Sequence, residues 1–141
     1  VDLAKYRAIF VEEATEHLAE MSRALLSLEK QPAHPEAIDV VFRMAHSIKG
    51  MAASLEYEGL SQVAHALEDR MQRARSAGRL EPEELAPLFR GLEALEGMVA
   101  EVRDRGEPPA PRPELVRELS NTEPGPEPPG KKALGPPRRA R

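Results

Sequence analysis

Four segments of roughly 20 residues each place apolar side chains at steps of three and four, the signature of helices that bury one face. The second segment is the clearest, with Ile38, Val41, Ala45, Ile48, Ala52 and Leu55. The first keeps the rhythm through Phe10, Ala14, Met21, Leu25 and Leu28, with Leu18 beside the stripe. Leu60, Ala64, Leu67, Met71 and Ala74 mark the third, and Leu85, Leu88, Leu92, Leu95, Val99 and Val102 the fourth. Punctuation falls between them. Asp2 is a candidate N-cap, Gln31–Pro35 breaks the first helix, and Pro35 with Glu36 suits the first turn of the second. Glu56–Gly59 reads as a short turn, and Gly78 as a left-handed helix end. The expected helices are 2–30, 35–55, 59–77 and 82–104. Pro87 has no N–H to give the fourth helix, so a bend or a late start is expected there.

Short turns between helices of this length imply an all-α, antiparallel up-down-up-down four-helix bundle. The apolar residues are mostly Leu, Ala, Val and Met, which favours helix over strand. Ten of the 14 prolines lie in 106–141, so the expected division is a domain at 1–105 and a Pro-rich flexible linker or tail at 106–141. Within that tail, Glu114–Leu119 can form a short additional helix that docks on the bundle. With no cysteine, neither a disulfide framework nor a thiolate metal site is available. No run of 18 apolar residues marks a membrane span, and the N-terminus does not read as a signal peptide. A chain that opens at Val1 reads as part of something longer. Residues 1–105 hold 13 Lys/Arg against 19 Asp/Glu, an acidic balance that argues against nucleic acid as the main partner.

The chemistry concentrates beside the core stripe of the second helix. His46 sits about 100° around that helix from Ala45, at the edge of the buried face. Lys49 follows at i+3, and Gly50 at i+4 leaves a bare patch. A helix-interior Gly costs about 1 kcal/mol against Ala, so close approach of a partner is a reason to keep it. On the third helix, His65 and Glu68 share the matching edge with Ser61 and Gln72. Antiparallel packing of the two helices brings His46, Lys49, His65 and Glu68 toward one groove. A carboxylate bound at Nδ1–H fixes the imidazole tautomer, frees Nε2 and supports the charge that develops when the ring attacks. A nearby Lys can meet the charge of an incoming phosphoryl group. His17 and His34 read as incidental, one beside the first core stripe and one in a loop.

His46-Ser47-Ile48-Lys49-Gly50-Met51-Ala52, followed nineteen residues after His46 by His65-Ala66-Leu67-Glu68, resembles the histidine phosphotransfer domain family. Within it, the chain looks like the N-terminal phosphoacceptor domain of chemotaxis-type histidine kinases, the CheA family. The likeness covers about 3–104 and includes the opening Tyr6–Ala14 segment. It implies His46 as phosphoacceptor, Glu68 as partner of the other ring nitrogen, Lys49 as the phosphoryl-side cation, His65 as a supporting residue and Gly50 as the clearance position. It also implies a kinase domain as donor, which uses ATP and Mg²⁺ that this chain does not bind, and a response-regulator receiver domain as acceptor. A monomeric, cytoplasmic domain follows. Two departures stand out. Ala53 and Glu56 occupy places near the turn where the family often has Gly or small residues, implying a tighter or more helical turn; members of this type often add a fifth helix, whose length the Pro-rich tail leaves open. Other readings are a phosphorelay protein working between two response regulators, a metal-carrying four-helix bundle, and a pure interaction bundle. The metal reading meets a single His-x-x-Glu and a repelling Lys49.

Overall fold

In the computed structural model, residues 2–120 are described. Among them α1 spans Leu3–Lys30, α2 Pro35–Ser54, α3 Glu58–Ala77, α4 Leu85–Arg105 and α5 Pro113–Ser120. The helix starts and stops follow local chemistry. The Asp2 carboxylate accepts from the Lys5 N–H at 3.2 Å and caps α1. Pro35 opens α2 at a position that needs no N–H. His34, expected to be incidental, is the N-cap of α2, its Nδ1 accepting from the Ala37 N–H at 3.1 Å. Gly78 ends α3 at φ 81°, and Gly106 ends α4 at φ 71°. The fourth helix takes the late start. Pro82–Glu84 forms a 3₁₀ turn and α4 proper begins at Leu85. Pro87 then falls in the first turn, where a missing N–H breaks no intrahelical bond.

The four long helices close into the expected bundle, with α1 against α2 and α4, and α3 against α2 and α4. Every expected core residue of α1 is buried, as are Ile38, Val41, Ala45, Ile48 and Ala52 on α2. Leu55 and Leu85, at the helix boundaries, are only partly buried. A Cβ on Gly91 would lie 2.5 Å from Leu67 Cδ2, so α3 and α4 approach closely there. The turn between α2 and α3 is a Schellman motif. The Tyr57 N–H donates to the Ala52 carbonyl at 2.8 Å and the Glu56 N–H to the Ala53 carbonyl at 3.0 Å. The residue carrying the left-handed conformation is Glu56, at φ 64°. Tyr57 is buried edge-on against Phe10 at 5.4 Å, which ties the turn to α1.

The short additional helix expected within the Pro-rich segment forms as α5 and docks on the bundle. Arg70 on α3 is 7% exposed, and its Nε donates to the Leu119 carbonyl at 2.7 Å. Its Nη2 donates to the Glu118 carbonyl at 3.3 Å, and Nη1 pairs with Glu84. Leu119 is fully buried, and Arg90 pairs with Glu118. One cation therefore caps the end of α5 and pins it to α3. The remainder of the expected tail, 121–141, lies outside the described residues.

Candidate functional site

The antiparallel α2–α3 pair carries a fixed register. Asp39 meets Arg75, His46 meets Glu68, and the Lys49 carbonyl accepts from Ser61 Oγ at 3.2 Å. The Schellman turn sets this register, since both helices leave it at fixed phase. Glu68 lies on the edge of α3 that faces α2, with its side chain 12% exposed, and both carboxylate oxygens are engaged. Oε2 stands 2.7 Å from His46 Nδ1, and Oε1 stands 2.7 Å from Lys49 Nζ. The Lys49 contact is a charge pair and not an aligned hydrogen bond.

The protonation states follow from these contacts. Burial pushes the Glu68 carboxyl up, but the close contacts and charge of Lys49 and His46 outweigh it and hold the group below its ordinary 4.5. An ionised carboxylate can only accept, so Nδ1 carries the ring proton and Nε2 carries the lone pair. The His46 side chain is 62% exposed. The result is an imidazole anchored at one nitrogen by a buried anion, with its other nitrogen nucleophilic on an accessible ring.

Resemblance put Lys49 on the phosphoryl side; its side chain is 28% exposed and its ammonium sits on Oε1 of Glu68, the oxygen that His46 does not use. In this arrangement it holds the carboxylate ionised and oriented. His65 stands apart. It is 58% exposed and pairs with Asp69 on its own helix at 3.7 Å, and no hydrogen bond, ion pair or ring contact joins it to His46, Lys49 or Glu68 among the described residues. A Cβ on Gly50 would meet nothing within 4 Å, so packing inside this chain does not require the glycine. That leaves open space beside His46.

Three contacts around His46 escaped the sequence reading. His17 Nε2 lies 3.1 Å from Ser47 Oγ and joins α1 to the residue next to His46. The Phe42 ring is stacked near that of His46, with centroids 6.3 Å apart and planes 14° from parallel. Arg75 lies 4.2 Å over the Phe42 ring and is tied to Asp39. Phe42 is i−4 from His46, so helical spacing alone contained that neighbour. Arg75 could be found only from the register of α2 on α3. Among the described residues no group of three His, Cys, Asp or Glu is placed to hold a metal ion.

The family model for the Hpt domain matches residues 5–105. The chain is 36% identical over 104 residues to the chemotaxis protein CheA of Halobacterium salinarum, covering 72% of this chain and 15% of that protein. Against the chemotaxis protein CheA of Bacillus subtilis the identity is 34% over 108 residues, with 76% and 16% covered. The chain thus spans a small fraction of these relatives' length. The solution structure of the histidine phosphotransfer domain of CheA superposes with a TM-score of 0.69 at 28% identity, covering 82% of this chain and 89% of that one. Four packed helices, an imidazole anchored across two of them and a family match over the whole bundle agree: this chain belongs to the Hpt domain family.

Proposed function

We propose that this domain is the phosphoacceptor piece of a chemotaxis-type two-component kinase, with His46 as the residue that carries the phosphoryl group. The observation that supports it most directly is the 2.7 Å contact of His46 Nδ1 with Glu68, which assigns the lone pair to Nε2 on an exposed ring. In this reading a separate kinase domain holds ATP and Mg²⁺. The Nε2 lone pair attacks the γ-phosphorus, the bond from that phosphorus to the bridging oxygen breaks, and ADP leaves with the electron pair. The ring keeps its Nδ1 proton and becomes cationic, and Glu68 offsets the new charge. In the second step a receiver-domain aspartate attacks the same phosphorus, the N–P bond breaks, and its electron pair returns to Nε2. Lys49 keeps Glu68 ionised through both steps, and Gly50 gives the two partners room to approach.

No helix among the described residues is long and apolar enough to cross a membrane. The reading places the domain in the cytoplasm, as a monomeric substrate of its kinase. The reading that competes on the same geometry is a relay between two response regulators. Incubation with a CheA-type kinase core and ATP, in parallel with a receiver domain phosphorylated by a small-molecule donor, separates the two. Kinase-fed loading of His46 that is much faster than receiver-fed loading supports the proposal. The opposite order assigns the relay role.

A further inference from the structure

A single hydrogen bond does not fix a ring. The Nδ1–Glu68 contact restrains one distance, but the imidazole turns about two side-chain torsions, so Nε2 can still tilt away from the open side. A 62% exposed side chain has little packing of its own to stop this. A second contact, on the ring face, is needed to define the plane.

Phe42 is placed to supply it. It lies one turn earlier on α2, its ring nearly parallel to His46 at 14° with a centroid separation of 6.3 Å. Those values fall within the range of offset-stacked aromatic pairs. Phe42 is itself held on two sides, being partly buried against the bundle core and covered by the Arg75 guanidinium at 4.2 Å. Arg75 in turn is fixed by Asp39 at 3.6 Å and by Gln72 at 3.3 Å. Asp39 is also gripped by Arg43 at 2.7 Å. The chain of contacts crosses from α2 to α3 and back, and it ends on the imidazole face.

We infer that Phe42 and Arg75 are positioning residues for the phosphotransfer step. Phe42 fixes the plane of the His46 ring, and Arg75, clamped by Asp39, fixes Phe42. Neither touches the reacting phosphorus. Their contribution is to keep Nε2 aimed outward, so that less orientational freedom is lost on the way to the transition state. The inference rests on the phosphoacceptor reading of His46, but the stack itself can be measured without any phosphotransfer.

The test uses the whole domain with Phe42→Leu, Phe42→Tyr and Arg75→Gln. In the unphosphorylated protein, the carbon-bound ring protons of wild-type His46 should show a ring-current shift from Phe42. That shift should vanish in Phe42→Leu, return in Phe42→Tyr and shrink in Arg75→Gln. With a CheA-type kinase core, Phe42→Leu should lower kcat for His46 phosphorylation about 3- to 10-fold, the worth of one aromatic pair. KM for the domain should stay unchanged, and Phe42→Tyr should restore the rate. Unaltered His46 ring shifts in Phe42→Leu overturn the stack. A raised KM at constant kcat makes Phe42 a docking residue and overturns its positioning role. If wild-type protein takes no label at all, the phosphoacceptor reading fails, while the ring shifts still decide whether the stack exists. Arg75→Gln, a change at a half-exposed position, keeps the test available should Phe42→Leu fail to fold.

Discussion

Replacing Glu68 by Gln removes one charge and keeps the side chain's shape, so it isolates what the carboxylate does. In the native site both oxygens are used, Oε2 by His46 Nδ1–H and Oε1 by Lys49, each at 2.7 Å. An amide offers one oxygen. The Lys49 ammonium can only donate, and its claim on that oxygen exceeds that of a neutral imidazole N–H. The amide oxygen therefore turns to Lys49 and the NH₂ group faces Nδ1. Nδ1 must then accept, the ring proton moves to Nε2, and the lone pair leaves the exposed nitrogen. A second loss is the charge. A cation and an anion about 4 Å apart attract by ~1 kcal/mol at the dielectric of water and by ~4 kcal/mol near a protein surface. A ring that is partly exposed sits between these limits, on the order of 2 kcal/mol, which is roughly 30-fold in rate before the tautomer change is added. Phosphorylation by a kinase core should fall by at least that factor. Nitrogen-15 NMR of the unphosphorylated variant should report the lone pair on Nδ1. A rate within about threefold of wild type, with the tautomer unchanged, would show that Glu68 neither selects the nucleophilic nitrogen nor supports its charge.

Two further outcomes concern the scaffold. Arg70→Ala leaves the Glu118 and Leu119 carbonyls without their cap, so the domain should lose about 1–3 kcal/mol and amide exchange across 113–120 should accelerate. Unchanged protection of α5 would mean that Leu119 burial alone holds it. Glu56→Gly relieves a left-handed residue that costs ~1–2 kcal/mol, while glycine's freedom in the unfolded chain takes back roughly 0.5–1 kcal/mol. A gain of up to about 1 kcal/mol should raise Tm by roughly 2–6 °C, and a lower Tm would contradict the Schellman account of the turn.

The bundle was legible because its stripes are long and its breaks are explicit, from Pro35 to Gly78. The central pair of the site was legible for the same reason. Once α2 and α3 are antiparallel neighbours, the edge residues His46 and Glu68 have few other places to go. What escaped depends on packing that periodicity does not encode. Lys49 and Glu68 carry opposite charges, but nothing in their spacing says which carboxylate oxygen Lys49 takes. His65 shares a stripe with Glu68, yet i+4 pairing with Asp69 claims it instead. Arg70 is a charge on a flank of α3 that four helices would leave in water. It becomes buried, together with Ala66, because α5 packs on α3. The short helix from Glu114 was itself legible, since Pro113 is acceptable at the first position of a helix and the segment carries its own amphipathic face, but its contact with Arg70 was not. Glu56 in a left-handed turn has no sequence signal, since Gly or Asn is the usual occupant.

The central claim is that His46 accepts a phosphoryl group at Nε2. Wild-type domain and His46→Gln are incubated with a CheA-type kinase core and γ-labelled ATP, then divided between acid and base, and the labelled residue is located by mass spectrometry. The account predicts label on wild type that is lost in acid and survives base, located on His46, and absent from a His46→Gln variant that retains its helical circular dichroism. Label on His46→Gln at the wild-type level, or an acid-stable phosphate on wild type, would contradict it.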